Sequence, residues 1–409
     1  MKYIQDIKDL KGKRVLLRVD FNVALNAEGA VDSNEDWRIK RSMPTIQFLV
    51  AQGAKIILIS HIGREKEGTL LPVVQYINQH FPIFIAFIPD ITGETVAPEI
   101  ESMEDGDILM LENLRRDPRE ENNDEGFAKE LSSLADIYVN DAFAVCHRAH
   151  ASVVGIPQNI QSYAGLLLQD EIQHLSFEKE KHPFLVILGG AKLETKMPLI
   201  EKYLTEADNV FVGGALANEI FKSKGFEIGE SLVGGYAVSD VILNNEKLMY
   251  PKDVVVRVTN PPLADAQPLT LEIGSQGLEG NNERMCESNE VSQMEMIVDL
   301  GEKSLNELTE KAKSAQRILW NGPLGLEDSQ LVDGTRKLLR ALAQQQTPQG
   351  PTLRSGVEII IGGGDTVAVV QELGLIDSFL FVSTGGGAML EYLEKGTLIG
   401  LEALESKKD

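Results

Sequence analysis

Short continuous apolar runs alternate along most of the chain with stretches whose apolar residues fall at helical spacing. Each run stops at a cluster of polar or glycine residues. Arg14–Val19 (RVLLRV) predicts a strand closed by Asp20, Phe21 and Asn22. Ile39–Gln52 predicts a helix ended by Gly53, and Ala54–Ser60 a second strand followed by His61, Gly63 and Arg64. Leu71–His80 reads as a helix, Ile83–Ile88 as a strand, and Asp107–Leu111 as a strand ending at Glu112, Asn113 and Arg115. Asn123–Ala135 is helical in pattern, and the strand Ile137–Val139 runs into Asn140 and Asp141. Strands separated by helices of this length imply βαβ units and a mainly parallel sheet.

Ala164–Lys181 predicts one long amphipathic helix connecting two halves, after which the pattern restarts. Strands are expected at Phe184–Leu188, Asn209–Val212, Asp253–Val258, Arg317–Trp320, Ile359–Ile361 and Leu380–Ser383. Helices are expected from Lys196 to Leu204, around Asn218, over Ser304–Ser314 and Thr335–Gln344, and from Val367 to Leu373. Asn260–Val291 is polar and without period, which suits a surface excursion holding some β structure. The fold class is therefore α/β, with two mainly parallel sheets in sequence.

The strand ends differ between the halves. In the first, four strands deliver Asp20/Asn22, His61/Arg64, Asn113/Arg115 and, slightly farther on, His147/Arg148. Ligands of open parallel sheets bind at that edge, and guanidinium forks suit a small polyanion. In the second, the strands end in glycines: GGAK, GG, NGP, GGGDT and STGGGA. A glycine rim with Lys192 and Lys196 suits a nucleotide whose phosphates are held by backbone. Val357–Gly374 (VEIIIGGGDTVAVVQELG) carries this signature most fully, as a strand, a tight glycine loop and an open helix start.

Length and charge narrow the picture. A chain of 409 residues suggests two or three domains. A net charge of −23 argues against nucleic-acid partners and makes the local arginine cluster informative. The N-terminal residues are charged and lack a signal-peptide core, and the longest apolar stretch, Phe81–Pro89, is too short to span a bilayer. Only Cys146 and Cys286 occur, so a soluble cytoplasmic protein without membrane association is expected. No P-loop, G-x-G-x-x-G turn, protein-kinase loop, zinc-spaced Cys/His set or nucleophile elbow is present. Phosphoryl transfer between a small anion and a nucleotide remains, with Asp365 as a candidate magnesium ligand.

Nine motifs in order carry a resemblance to the phosphoglycerate kinase family: RVDFNV from Arg18, DWRI from Asp36, SHIGR from Ser60, ENLR from Glu112, NDAF…HRAHAS from Asn140, GGAK…K from Gly189, WNGPLG from Trp320, GGGDT and STGGGA. The resemblance implies two doubly wound, Rossmann-like parallel-sheet domains facing across a cleft: residues 1–163 for phosphoglycerate, 182–389 for nucleotide, 164–181 as the hinge, and a tail, 390–409, returning to the first. It implies transfer from 1,3-bisphosphoglycerate to Mg-ADP by a monomer after hinge closure. By matching positions, Asp20, Asn22, Arg38, His61, Arg64, Arg115 and Arg148 would hold phosphoglycerate. Arg38, Lys192, Lys196 and Gly364 would serve the phosphoryl in flight. Lys196, Gly213, Asn321, Pro323, Leu324, Glu327 and Gly362, Gly363, Gly364, Asp365 and Thr366 would bind nucleotide, with Asp365 on Mg2+. Departures include Leu326 followed at once by Glu327 where the family has an apolar pair, Ala144, Glu65 and Arg116 at variant motif positions, Trp37 beside Arg38, and GEKS from Gly301.

Overall fold

The computed structural model describes residues 1–32, 36–63, 66–176, 181–259, 282–326, 329, 331–344 and 357–405. The chain divides into two compact units: Met1–Phe177 with Thr384–Asp409, and Glu178–Ser383.

The first unit is built on six strands: β1 (Arg14–Arg18), β2 (Lys55–Ile59), β3 (Ala86–Phe87), β4 (Ile108–Met110), β5 (Ile137–Asn140) and β6 (Ser162–Ala164). They lie in the order β3-β4-β2-β1-β5-β6, and every pairing is parallel. Such a sheet is covered on both faces, so its strands read as continuous apolar runs rather than as alternation. Leu16, Leu17, Ile56, Ile57 and Leu58 are accordingly all fully buried. The loops bearing the predicted polar rim follow β4, β2, β1 and β5, four adjacent strands.

The C-terminal residues complete this unit. The helix Gly386–Lys395 sets Tyr392 edge-on to Phe143 at 6.1 Å. In the helix Ile399–Glu405, the Gly400 N–H donates to the Cys146 carbonyl at 2.8 Å, and Glu405 pairs with the N-terminal amine at 3.2 Å. Both helices therefore grip the segment after β5 that carries His147 and Arg148.

The second unit holds β7 (Phe184–Leu188), β8 (Asn209–Val212), β9 (Leu248–Met249), β10 (Asp253–Val258), β11 (Glu283–Glu287), β12 (Glu295–Leu300), β13 (Arg317–Asn321), β14 (Glu358–Gly362) and β15 (Phe381–Val382). Six form a second all-parallel sheet, β15-β14-β13-β7-β8-β9. From β7 the chain winds one way through β8 and β9. From β13 it winds the other way through β14 and β15. The crevice between β7 and β13 is thus a topological switch point. β10, β11 and β12 form a small antiparallel sheet in the order β11-β10-β12. It packs through Val254 and Val256 onto Ala217 and Phe221 of the helix Ala215–Ser223.

Two expectations are corrected. The helix predicted over Ala164–Lys181 spans Leu166–Leu175. Ala164 instead pairs with Asn140 as the last residue of β6, extended Gly165 precedes the helix, and Ser176 (ψ 88°) leaves it. The segment read as aperiodic with some β structure contains β11, its residues 260–281 are outside the described set, and the unexpected strand β12 lies just beyond it. The expected strand Ile83–Ile88 shrinks to Ala86–Phe87 at the sheet edge. Among the described residues no helix is long and apolar enough to cross a membrane.

Candidate active site

The rim of the first unit assembles into one basic cluster. Arg18, the last residue of β1, is buried, and each nitrogen of its guanidinium has a partner. Its Nε donates to Ser152 Oγ at 3.1 Å and its Nη2 to His61 Nδ1 at 3.0 Å. Ser152 passes the contact on, because its N–H and Oγ donate to buried Glu120 at 2.9 and 2.5 Å. The arrangement sets the chemistry of His61. An arginine can only donate, so Nδ1 must accept and the ring proton must sit on Nε2. Burial first, then Arg18, Arg115 and Arg148, hold the His61 pKa well below the ordinary imidazole range. His61 is therefore a neutral donor aimed by Arg18. Isotope-resolved imidazole NMR should find it still as the neutral Nε2–H tautomer at the pH where an ordinary imidazole gains its proton. A titration near the ordinary imidazole value would contradict this geometry.

His150 is likewise pushed down to about 4 by burial and then by Arg148, Arg18 and Arg115, although Glu120 lies 3.8 Å from its Nδ1. His147 is lowered by burial and Arg148. Three neutral rings and the arginines Arg115 and Arg148 thus gather around one point. Arg115 Nη1 donates to the Gly63 carbonyl, and its Nε is 3.3 Å from Glu121. Asn22 Oδ1 accepts from the Gly63 N–H at 2.8 Å, so it shapes the loop after β2. Arg64 lies outside the described residues.

Arg38 enters from the first turn of the helix Trp37–Ala51. A cation at a helix N-terminus opposes the dipole there, and no acidic residue of that turn relieves it. Buried Asp20 does, accepting from Arg38 Nη1. The Trp37 ring lies 5.4 Å from the guanidinium carbon. A locally unfavourable cation held by a distant buried carboxylate is the kind of exception found at functional sites.

In the second unit, Lys196 reaches into the switch point. Its Nζ donates to the Gly189 carbonyl at 2.5 Å and the Asn321 carbonyl at 3.3 Å, at the ends of β7 and β13. Burial pushes its pKa down to about 8, with Asp365 acting in the opposite direction. Lys192, by contrast, is exposed just before the helix Leu193–Glu206. The loops after β7, β8 and β13 interlock through backbone. The Gly190 N–H donates to the Pro323 carbonyl at 2.8 Å, and Gly214 N–H to the Leu324 carbonyl at 3.0 Å. A Cβ on Gly189 would sit 2.1 Å from the Pro323 oxygen, and one on Gly322 (φ +98°) 2.5 Å from Lys196 Nζ. These glycines therefore serve contact between loops, which the sequence alone could not distinguish from contact with a ligand.

The GGGDT loop behaves differently. Gly362 ends β14, and Gly363 precedes the helix Gly364–Glu372, whose start no side chain caps. Gly364 and Asp365 are exposed there, while Thr366 is buried with its hydroxyl accepting from the Gly322 N–H at 3.0 Å. The Asn321 amide lies against Gly363. An open first turn beside Lys196 and Asp365 is an anion site with a carboxylate at its edge.

From this point a cavity of about 500 Å³ extends between the helix Ala215–Ser223, the strand β12 and the loop Pro323–Leu326, with Asp365 and Gly190 at its mouth. Its volume suits a nucleoside. Pro323 and Leu324 line it as expected, whereas Gly213 and Asn321 are not part of its lining. Glu327 lies outside the described residues. The sequence reading missed Asp299, at the end of β12. Burial raises its pKa to about 6, and its oxygens accept from the Leu300 and Gly334 N–H groups, both at 2.8 Å. An aspartate closing an apolar run (IVDL) before a glycine was the available signal. Arg18 and His150 were present in recognised segments and Glu120 lay between two of them, but their roles depend on side-chain reach. Among the described residues no group of three or more His, Cys, Asp or Glu could hold a metal by itself.

Comparison with known proteins covers nearly the whole chain. The family model described as phosphoglycerate kinase matches residues 4–396. The phosphoglycerate kinase of Dictyoglomus turgidum is 38% identical over 99% of each chain, and that of Coprothermobacter proteolyticus 36% over 98% of each. Among solved structures, phosphoglycerate kinase from Coxiella burnetii superposes with a TM-score of 0.76 at 30% identity, covering 98% of each chain. That from Pyrococcus horikoshii OT3 gives 0.80 at 27%, covering 99% of this chain and 98% of its own.

Proposed function

Because the chain belongs to the phosphoglycerate kinase family, we propose that its two rims divide one reaction between them, the basic cluster taking phosphoglycerate and the glycine rim the nucleotide. The chain catalyses reversible phosphoryl transfer from 1,3-bisphosphoglycerate to ADP, giving 3-phosphoglycerate and ATP in glycolysis. The observation that best supports the division is the switch point of the second sheet. There a buried lysine, an uncapped helix start and a nucleoside-sized cavity meet.

In this reading Arg115, Arg148 and the Nε2–H of His61 hold the anionic groups of phosphoglycerate, with Asp20 and Asn22 placing the loops around it. Arg64, outside the described residues, is assigned to the same rim. Arg38 addresses the transferring group. The acceptor, a carboxylate or a nucleotide phosphate, is already ionised, so no general base is needed. Catalysis then rests on positioning and on positive charge at the equatorial oxygens. Arg38, Lys192, Lys196 and the N–H groups from Gly364 to Thr366 supply it. Lys196 keeps its proton more firmly once a phosphate replaces the carbonyls around it. The rims belong to separate units, so transfer requires the units to bring both substrates together and to exclude water at that moment.

Magnesium fits the residues present on one condition. A lone carboxylate, Asp365, is a sufficient protein contribution only if phosphate oxygens and water complete the shell, as this ion prefers. The ion would neutralise phosphate charge during transfer. Asp365→Ala should raise the magnesium concentration for half-maximal rate by about 10- to 100-fold. An unchanged magnesium dependence would remove Asp365 from the metal. A monomer working in the cytoplasm is the form we propose, in keeping with two buried free thiols. A coupled assay of ATP formation from 1,3-bisphosphoglycerate and Mg-ADP tests the whole reading, and a folded sample without turnover would refute it.

A further inference from the structure

A buried carboxylate stands among the arginines of the first unit. Glu120, 1% exposed, belongs to the short helix Pro118–Glu121. Its Oε2 accepts from the Ser152 N–H at 2.9 Å and its Oε1 from the Ser152 Oγ at 2.5 Å. Ser152 is fully buried in the π-helical turn Ala151–Gly155, a geometry frequent at functional sites. Its hydroxyl also meets Arg18 Nε at 3.1 Å. A guanidinium can only donate, so the Ser152 oxygen accepts from Arg18 and directs its single proton to Glu120. Arg18 Nη2 meanwhile donates to His61 Nδ1 at 3.0 Å. Every donor is thereby assigned along one chain, from Glu120 to the Nε2–H of His61.

Holding the backbone does not account for this arrangement. The helix Pro118–Glu121 is secured without Glu120: Asp117 accepts from the Arg119 N–H, and Arg119 pairs with Glu130 at 2.9 Å. In the turn Ala151–Gly155, the Val153 and Val154 N–H groups donate to the His150 carbonyl at 3.0 and 2.8 Å. Mutual neutralisation alone would favour direct contact of Arg18 with Glu120, because attraction between buried charges grows as they approach. The interposed hydroxyl instead fixes which way each proton points. Burial raises the Glu120 pKa, while Arg18 and the two Ser152 hydrogen bonds act the other way. A carboxylate here also weakens the positive field that would draw an anion to the rim. A buried acid kept in such a place calls for a further task.

We propose that Glu120 and Ser152 are positioning residues for the phosphoglycerate site, holding Arg18 so that His61 presents its Nε2–H before substrate arrives. The proposal rests on the assignment of the basic cluster to phosphoglycerate. The carboxylate holds the Ser152 hydroxyl, and the hydroxyl oxygen receives the Arg18 Nε–H. The guanidinium plane fixed in this way delivers Nη2 to His61 Nδ1. The Val19 carbonyl and Ser60 Oγ meet Nη1 at 2.5 and 3.4 Å, which secures another corner and leaves the Nε side to Ser152. Glu120 and Ser152 thus act on substrate affinity through the direction of one imidazole proton.

The test is binding of 3-phosphoglycerate to the intact enzyme, wild type against Glu120→Gln, Ser152→Ala and the double variant, with isotope-resolved imidazole NMR on the same samples. Glu120→Gln removes a negative charge beside an anion site, so a purely electrostatic role predicts tighter binding. Positioning predicts the opposite sign: the Kd should rise about tenfold, the size of one net hydrogen bond. Ser152→Ala should do the same, and the double variant should add little to either, because both break one chain. In each variant the His61 signals should move from the pure Nε2–H tautomer toward a mixture, while the Kd for Mg-ADP stays unchanged. An unchanged or lowered Kd in Glu120→Gln would overturn the proposal, as would full additivity or an unaltered His61 tautomer. Should one variant fail to fold, the other decides. Should neither fold, the wild type decides: a slowly exchanging Arg18 Nε–H signal that moves when 3-phosphoglycerate binds supports the proposal, and a rapidly exchanging or indifferent one overturns it. Wild-type binding that leaves the His61 signals untouched would remove the assignment of the cluster itself. His61 responding in every variant at wild-type affinity refutes only the role of Glu120 and Ser152.

Discussion

Replacing Arg38 by alanine is expected to lower kcat by about two to three orders of magnitude, roughly 2.7–4 kcal/mol of transition-state stabilisation. The Kd for 3-phosphoglycerate should rise far less. The expectation follows from how the side chain is held. Buried Asp20 orients the guanidinium against the unfavourable dipole of its own helix, so the fork is aimed before substrate arrives. A preorganised charge of this kind acts mainly on charge that develops during transfer. Arg38→Lys keeps the charge but loses the planar fork, so it should recover only part of the rate. Asp20→Asn should have a smaller effect of the same kind, because it loosens the aim without removing the cation. The measurement is kcat from the coupled assay, with Kd and Tm determined on the same samples. A near-full kcat in a folded Arg38→Ala enzyme would take Arg38 out of the phosphoryl path.

The fold was legible where burial on both faces turns a strand into an uninterrupted apolar run. Phe184–Leu188, Asn209–Val212 and Asp253–Val258 were bounded correctly for that reason. Legibility failed where the strand is too short or too polar for such a run, as in Ser162–Ala164 and Leu248–Met249 at sheet edges. It also failed for the connecting helix, whose apolar spacing continues past the residue at which the backbone turns away. In the site, the arginines after the strands could be found because position at a strand end is a property of sequence. The Arg18–Ser152–Glu120 relay could not, because its side chains join positions 134 and 32 residues apart that no local pattern links. Glycine was the most ambiguous signal, since contact between loops and contact with a phosphate demand the same absent side chain.

Gly364 separates those two demands, and it carries the second large prediction. A Cβ built on Gly364 meets nothing within 4 Å, and the residue is exposed in the first turn of a regular helix. Nothing in the protein itself therefore requires glycine there, and alanine should stabilise the fold by about 0.5 kcal/mol through a less flexible unfolded chain. A phosphate approaching the first-turn N–H groups would meet that methyl. Displacing the transferring group by even an ångström can cost about 100-fold in rate. Gly364→Ala should therefore keep or raise Tm while kcat/KM for Mg-ADP falls by about 100-fold, and Gly364→Val should fall further. The contrasting variant is Gly189→Ala, whose Cβ would lie 2.1 Å from the Pro323 oxygen. It should lose stability and activity together. A Gly364→Val enzyme with undiminished kcat/KM would mean that the phosphate does not come to this helix start, and the nucleotide assignment of the GGGDT loop would fall with it. Opposite signs in stability and rate at Gly364, and the same sign at Gly189, would distinguish a glycine kept for the ligand from one kept for the fold.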